Sequence, residues 1–448
     1  MNIDLSEEKA HLSLGNKRRN DRFIKIVQNK VGNPSGSIPE IADDWSDIKM
    51  TYEFYGNDKI AEDQIVSCIQ QSTVSRCLKK KVVLNILDTT SANFSSSAKG
   101  LGYLDHGVGE GLMIHNSLAI DVEGCPLGIL SQKIWARDRA EMGKKKFRGT
   151  KKISEKESYR WIEGMQLAED LLKEVPLVVH IGDRESDIYE LFATPRQPNS
   201  ELLIRAVHDR KTLLGNSMWK EIEEQPLLAT FELKIPKVQT EGVRKVKMEV
   251  RATMIVLSPP SQKPDLPALI VYGIIVREAD KKEKGLEWRL ISTLPVKTAE
   301  VAVEFVKRYS YRWRIERLHF ILKSGCHLED LQLRSVKALR KAIVVYSLCA
   351  FKLMQMLYLS RTEPELSCTC FFSDMEWKVL SRLSNKSPFI RPHPPSLEKC
   401  VLMLAKLGGY IGRNNDGPPG VKNLWRGLQK LNTIIKAMKN INQGLSTN

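Results

Sequence analysis

The chain has 448 residues, 42% hydrophobic, and its 69 Lys and Arg against 53 Asp and Glu leave a formal charge of +16. That length allows roughly two to four domains with cores of their own, in the composition of a soluble globular protein. A basic balance of this size, with pI near 9.3, points to a polyanionic partner, nucleic acid first, and no basic amphipathic helix or lipidation motif argues for a membrane surface instead.

The amino terminus, MNIDLSEEKAHLSLG, is polar and partly acidic and does not read as a signal peptide. From Lys17 to Lys30 basic residues alternate with an apolar stripe of Phe23, Ile26 and Val27, which predicts a helix ended by the Gly and Pro of VGNPSG. Ser37 and Glu40 form an S-x-x-E capping box, so a second helix is expected from there towards Tyr55. A helical pair carrying Lys17, Arg18, Arg19, Arg22 and Lys25 suits a small DNA-binding module, and equally an ordinary hairpin with a charged outer face.

Residues 82 to 94, VVLNILDTTSANF, read as a buried strand with Asp88 near its carboxyl end. The segments 111 to 121 and 126 to 137 complete an antiparallel meander turned at EGC. A loop follows with Lys144, Lys145, Lys146 and Arg148, a concentration of charge suited to phosphate. Ser154 to Glu174 is a predicted helix with Trp161, Met165, Ala168 and Leu172 on one face. PLVVHIGDRESDIYEL gives a second buried strand ending in Asp183, which is an N-cap, or a ligand group at the carboxyl edge of a sheet shared with Asp88.

Residues 212 to 294 are rich in short β-like runs and read as an insertion before the last segment of the core. In YSYRWRIERLHFILK, at about 100° per residue, Tyr309, Arg312, Glu316 and Lys323 fall within roughly 60° of one another, while Ile315, Leu318 and Leu322 face inward. Alone, this is also what a solvated face with an Arg312 to Glu316 pair looks like. Residues 342 to 359 approach the length of a membrane span, but Lys352 interrupts them, so a buried helix is expected. The remaining third is mostly helical, broken at NNDGPPG, with a last helix from about Val421 to Asn440. Eight scattered cysteines suggest reduced thiols in a cytosolic protein, and Cys368, Cys370, His393 and Cys400 match no standard zinc spacing.

Phosphodiester cleavage needs an activated attacking oxygen and a stabilised leaving oxygen, which two divalent ions about 3.5 to 4 Å apart supply together. Mg2+ prefers carboxylate oxygen and water, and two acids on central strands with a third on a covering helix would hold such a pair. Asp88, Asp183 and Glu316 fit that description.

These residues resemble a known family. Tyr309, Arg312, Glu316 and Lys323 match the signature Y-x2-R-x3-E-x6-K without departure in spacing, and DTT at 88 to 90 and GDRESDIYE at 182 to 190 match its two other acid motifs. The chain is similar to D-D-E transposases of the insertion-sequence-four family over nearly its whole length, including SIPEIADDWSDIKMTYEFYGN, SEKESYRW and LGGYIGRNNDGPPGVKNLWRGL. The resemblance implies an α/β protein with a ribonuclease-H-like catalytic core interrupted by a β-rich insertion, and helical amino- and carboxy-terminal domains. The implied boundaries are 1–70 for transposon-end DNA binding, 71–211 and 295–362 for the core, 212–294 for the insertion and 363–448 for dimerisation.

It further implies cut-and-paste transposition by a synaptic homodimer acting on double-stranded transposon ends and target DNA, through a hairpin intermediate. Two Mg2+ ions per site, replaceable by Mn2+, would be held by Asp88, Asp183 and Glu316. Tyr309, Arg312 and Lys323 would hold phosphates, Trp288 would stack on a flipped base or else serve as a strand core residue, and Arg205 and, more weakly, Arg210 would bind phosphate. Phe320 departs from the pattern, standing where close relatives are basic. The implied location is the bacterial cytoplasm, on the nucleoid, with no membrane partner. Two competing readings remain: Tyr309 as a recombinase nucleophile, and a catalytically inactive regulator that only occupies transposon ends.

Overall fold

The computed structural model describes residues 3–94, 98–104, 109–142, 151–236, 243–279, 285–385, 393–413 and 416–445. The lysine-rich segment 144 to 148 lies outside them. The fold is mixed α/β around a ten-stranded sheet. Its strands are β1 (Val82–Asn93), β2 (Gly102–Tyr103), β3 (Glu110–Ile120), β4 (Pro126–Trp135), β5 (Leu177–Gly182), β6 (Ser200–Arg205), β7 (Ala229–Pro236), β8 (Val243–Leu257), β9 (Leu269–Glu278) and β10 (Glu287–Ser292). They run in the order β2-β3-β1-β5-β6-β10-β9-β8-β7, with β4 on β3.

β1, β3 and β4 form the expected antiparallel meander. Its turn is set by Asp121, whose Oδ1 accepts from the N–H groups of Glu123 and Cys125, and by Gly124 at φ +79, a conformation that disfavours a side chain. β1, β5 and β6 are parallel neighbours, while β10 pairs antiparallel with β6, so the run 212 to 294 extends the same sheet.

The helices are α1 (Ser6–His11), α2 (Lys17–Gly32), α3 (Ile38–Ile41), α4 (Trp45–Gly56), α5 (Glu62–Cys77), α6 (Tyr159–Leu171), α7 (Tyr189–Ala193), α8 (Met218–Glu223), α9 (Ala299–Ser310), α10 (Trp313–Phe320), α11 (Val336–Thr362), α12 (Asp374–Asn385), α13 (Leu397–Leu407) and α14 (Val421–Leu445). Phe23, Ile26 and Val27 are buried, as their spacing requires. The helix expected from Ser37 to Tyr55 is instead two. The Ser37 capping box starts a single turn, α3, and Asp44 starts α4 anew by accepting from the N–H of Asp47 at 2.8 Å. Asp44→Ala is expected to cost about 1 kcal/mol, the usual worth of an N-cap, read as a lower urea midpoint. α6 begins five residues later than expected, yet Trp161, Met165, Ala168 and Leu172 are all buried.

α11 is long and apolar enough to cross a membrane, but 89% of its most apolar window is buried inside the molecule, the position of a core helix. Lys352 is accommodated there by Glu8, whose Oε1 lies 2.9 Å from the ammonium.

Candidate functional site

Strand alternation decides which side chains share a face. Leu84 and Ile86 of β1, Val179 and Ile181 of β5, Leu203 of β6, and Trp288 and Leu290 of β10 enter one core, shared with α9, α10 and α11. Leu87, Leu202 and Ile204 enter the core on the opposite side, with Trp161 and Met165 of α6. Stepping by two, Asp88, Asp183 and Arg205 belong to the α10 side. Ile86 is the register partner of Ile181 in the parallel pair, so Asp88 and Asp183, each two residues further on, leave adjacent strands side by side. Asp88 is not at the end of its own strand, which continues to Asn93 against β3. It lies beyond the end of its pairing with β5, and there the sheet opens.

Asp183 does act as an N-cap: its Oδ1 accepts from the N–H of Glu185 at 2.9 Å and starts a short 3-10 turn. That leaves its second oxygen for other work. Glu316 comes from α10, which packs on β1.

The stretch Tyr309 to Lys323 is not one helix. α9 ends at Ser310, whose hydroxyl donates back to Lys307 O, and the N–H groups of Tyr311 and Arg312 bond three residues back instead of four. This tight turn changes the phase of the chain before α10. A π turn, Ile321–Gly325, then widens it again, closed by Cys326 N–H on Ile321 O at 2.7 Å. The four signature residues are therefore carried by segments of different pitch, Tyr309 in α9, Arg312 in the turn, Glu316 in α10 and Lys323 in the π turn. Ile315, Leu318 and Leu322 nevertheless all point inward.

Arg312 donates to Glu316 Oε1 at 2.5 Å. Lys323 pairs with Glu329 at 3.2 Å, and Glu329 also accepts from the N–H of Asn93 at the end of β1. Tyr309 is 2% exposed, packs edge-on to Trp288 with ring centroids 5.2 Å apart, and keeps its hydroxyl buried beside Arg312. Burial raises its hydroxyl above the ordinary value, while Arg312 and Arg205 pull the other way, which places those two cations beside it. Trp288 is itself a core residue at 6% exposure.

The electrostatics gather the three acids into one neighbourhood. Burial first, then the charges of Asp183 and Glu316, push the Asp88 carboxyl up to about 7, against the pull of the Thr89 N–H and Arg312. Among the described residues no group of three or more His, Cys, Asp or Glu side chains forms a metal-holding cluster. Glu316 is occupied by Arg312.

Several neighbours carry no signature of their own. Arg160 donates to Thr89 Oγ1 at 2.9 Å and to Glu185 Oε2 at 2.7 Å, bracing the segments after both aspartates. His319 stands 4.0 Å from Asp88 Oδ2 and 2.9 Å from Asn116 Nδ2. The i,i+3 spacing of His319 from Glu316 was the one signal in the sequence.

Other expected contacts lie elsewhere. Arg210 is half-buried, paired with Asp187 at 2.6 Å and stacked near Phe192. In the amino-terminal module Arg18 is exposed, Arg19 donates to Leu14 O at 3.1 Å, and Arg22 is tied to the buried Asp47. Cys368 and Cys400 lie close enough for each thiol to shift the ionisation of the other.

Comparison with known proteins addresses the two ends of the chain. Residues 5–60 match a family model described as transposase DNA-binding, and residues 348–444 match one described as the transposase Tn5 dimerisation domain. A cryo-EM structure of the piggyBac transposase synaptic complex with hairpin DNA aligns over 97% of this chain and 78% of that one, at 9% identity and a TM-score of 0.35, a likeness too slight to carry an argument. With a DNA-binding match at one end and a dimerisation match at the other, the comparisons support a Tn5-like transposase family.

Proposed function

We propose that the protein is a D-D-E DNA transposase with a ribonuclease-H-like core, whose catalytic face is the side of the sheet beneath α10. The observation that carries this reading is the side-by-side exit of Asp88 and Asp183 from parallel strands, with Asp88 held protonated up to about 7 by burial and by its acidic neighbours. Such crowding of negative charge in a protein of charge +16 is relieved by a divalent cation.

The donor set fits one: it offers hard carboxylate oxygens and no thiolate. Asp88, Asp183 and Glu316 would hold two Mg2+ ions, or Mn2+, with Glu316 turning off Arg312 to join them. When bound, the ions supply activation of an attacking oxygen and stabilisation of a leaving one.

The chain's own groups position the DNA. Arg312, released by Glu316, turns to a backbone phosphate, and Arg205 on the same face holds another. Lys323 serves the strand passing the end of β1. Trp288 and Tyr309 form an adjoining aromatic wall, which takes up an extruded base once their edge contact opens. The reaction is hydrolytic nicking at a transposon end, attack of the freed 3′ hydroxyl on the opposite strand to close a hairpin, reopening, and joining of the 3′ end to target DNA. The chain acts as a dimer.

The test is incubation of purified protein with Mg2+ and DNA carrying the flanking ends of its own element, scored for hairpin products. Wild type is compared with Asp88→Ala and Glu316→Ala. Equal activity in all three would remove these acids from the chemistry, and end binding without cleavage by wild type would favour the inactive regulator. Tyr309, buried under Trp288 with its hydroxyl raised by burial, is poorly placed as a nucleophile. Tyr309→Phe, which keeps the ring and removes the hydroxyl alone, is expected to slow cleavage by about tenfold or less. No phosphotyrosine-linked DNA should be recovered from denaturing gels.

A further inference from the structure

We propose that His319 is a positioning residue for Asp88, presenting its Nδ1–H to the carboxylate at the end of a row of side-chain amides anchored on α11. The inference rests on the catalytic reading above and concerns how the first acid is aimed.

The chain of contacts is continuous. Gln132 on β4 donates through Nε2 to Ser347 Oγ of α11 at 2.7 Å and to Asn116 Oδ1 at 2.7 Å. Asn116, the register partner of Asp88 across β1 and β3, donates through Nδ2 to His319 Nε2 at 2.9 Å. His319 Nδ1 faces Asp88 Oδ2 at 4.0 Å. Asn116 and Ser347 are at most 1% exposed and His319 is 7% exposed, so water does not compete at the end of the row nearest Asp88, while Gln132 is half-buried.

The order of donors fixes the tautomer. With Asn116 Oδ1 engaged by Gln132, only its N–H groups are left for the imidazole, so Nε2 accepts and the ring proton sits on Nδ1. The opposite polarity would aim a lone pair at a carboxylate.

At 4.0 Å the contact is charge to dipole, and a closing movement of about 1 Å makes it a hydrogen bond. Asp88 Oδ1 already accepts from the N–H of Thr89 at 2.8 Å. His319 is thus the group that defines where the second oxygen points, relative to Asp183 and Glu316. Groups behind a metal-binding carboxylate act in this way, and losing one costs about 10- to 100-fold in metal affinity or activity.

The experiment compares wild type, His319→Ala, His319→Asn and Gln132→Leu. Two readouts are taken: the Mg2+ concentration giving half the Mg2+-dependent rise in Tm without DNA, and the Mg2+ concentration giving half-maximal cleavage. His319→Ala should raise both about tenfold or more. His319→Asn, whose amide nitrogen takes the place of Nδ1, should recover most of the loss. Gln132→Leu, near-isosteric and remote from the acids, should raise both severalfold, and it carries the test should His319→Ala fail to fold.

Unchanged Mg2+ requirements in His319→Ala and Gln132→Leu would overturn the proposal, as would His319→Asn performing no better than alanine. A wild-type protein without any Mg2+ response would instead sink the catalytic reading itself, so the two failures are distinct.

Discussion

Replacing Asp88 with asparagine is expected to reduce Mg2+-dependent cleavage of transposon-end DNA on the order of a thousandfold and, at pH 8 without divalent ions, to raise the stability of the protein. Both effects come from one carboxyl. Folding lifts its pKa from the ordinary 3.8 to about 7, through burial and the charges of Asp183 and Glu316. An acid raised by folding binds its proton more tightly in the native state. Its favourable contribution is therefore present below pH 4 and lost as pH climbs towards 7.

Above pH 7 the native state carries an ionised, crowded carboxylate that the unfolded chain does not. The cost is roughly 2 to 4 kcal/mol, and asparagine removes it. Melting curves from pH 4 to pH 8 should slope downward for wild type and run flatter for Asp88→Asn. Mg2+ should raise the wild-type Tm at pH 8 and leave the variant nearly unmoved. A wild-type stability independent of pH across that window would mean that the three acids do not share a field.

Glu8→Ala is expected to be among the most destabilising single substitutions in the chain, at about 3 to 5 kcal/mol. Glu8 is completely buried and lies 2.9 Å from the ammonium of Lys352, which is 4% exposed, and 3.3 Å from Arg76. Glu7 completes the set by pairing with Arg76. Removing Glu8 leaves Lys352 inside the core with the carbonyl of Asp4, at 3.2 Å, as its one remaining hydrogen-bond partner among the described residues. Breaking one side of such a pair is far worse than replacing both. The double variant Glu8→Leu with Lys352→Met should therefore recover most of the loss in a urea titration. A single variant as stable as wild type would show that the ammonium reaches water by another route.

How much of this was legible in the sequence differs from residue to residue for physical reasons. The strands around Asp88 and Asp183, the meander, and the inward faces of α2, α6 and α10 follow from periodicity, which is a local property. The helix breaks are local as well but decided by contest. Ser37 and Asp44 are both good caps, and a chain that carries two starts within eight residues folds as two helices. The tight turn at Tyr311 and the π turn after Phe320 have no residue that demands them, and the packing of α9 and α10 against different parts of the sheet decides them instead.

The ion pairs of Arg210 with Asp187 and of Arg22 with Asp47 are not legible in the sequence, because ion pairing is a tertiary fact. His319 offers only its i,i+3 spacing from Glu316, which is common on any helix and assigns no role by itself. Its meaning lies in Asn116 and Gln132, about two hundred residues away along the chain.

The ladder between β6 and β10 has a mechanical consequence. Leu290 is paired with Arg205, and Trp288 stands two residues further along the same rung system. Sheet backbone stretches little, so the distance from that indole to the carboxylates is a built-in ruler. On the catalytic reading proposed above, an extruded nucleotide would be measured against it, with no hinge in between to adjust the scale.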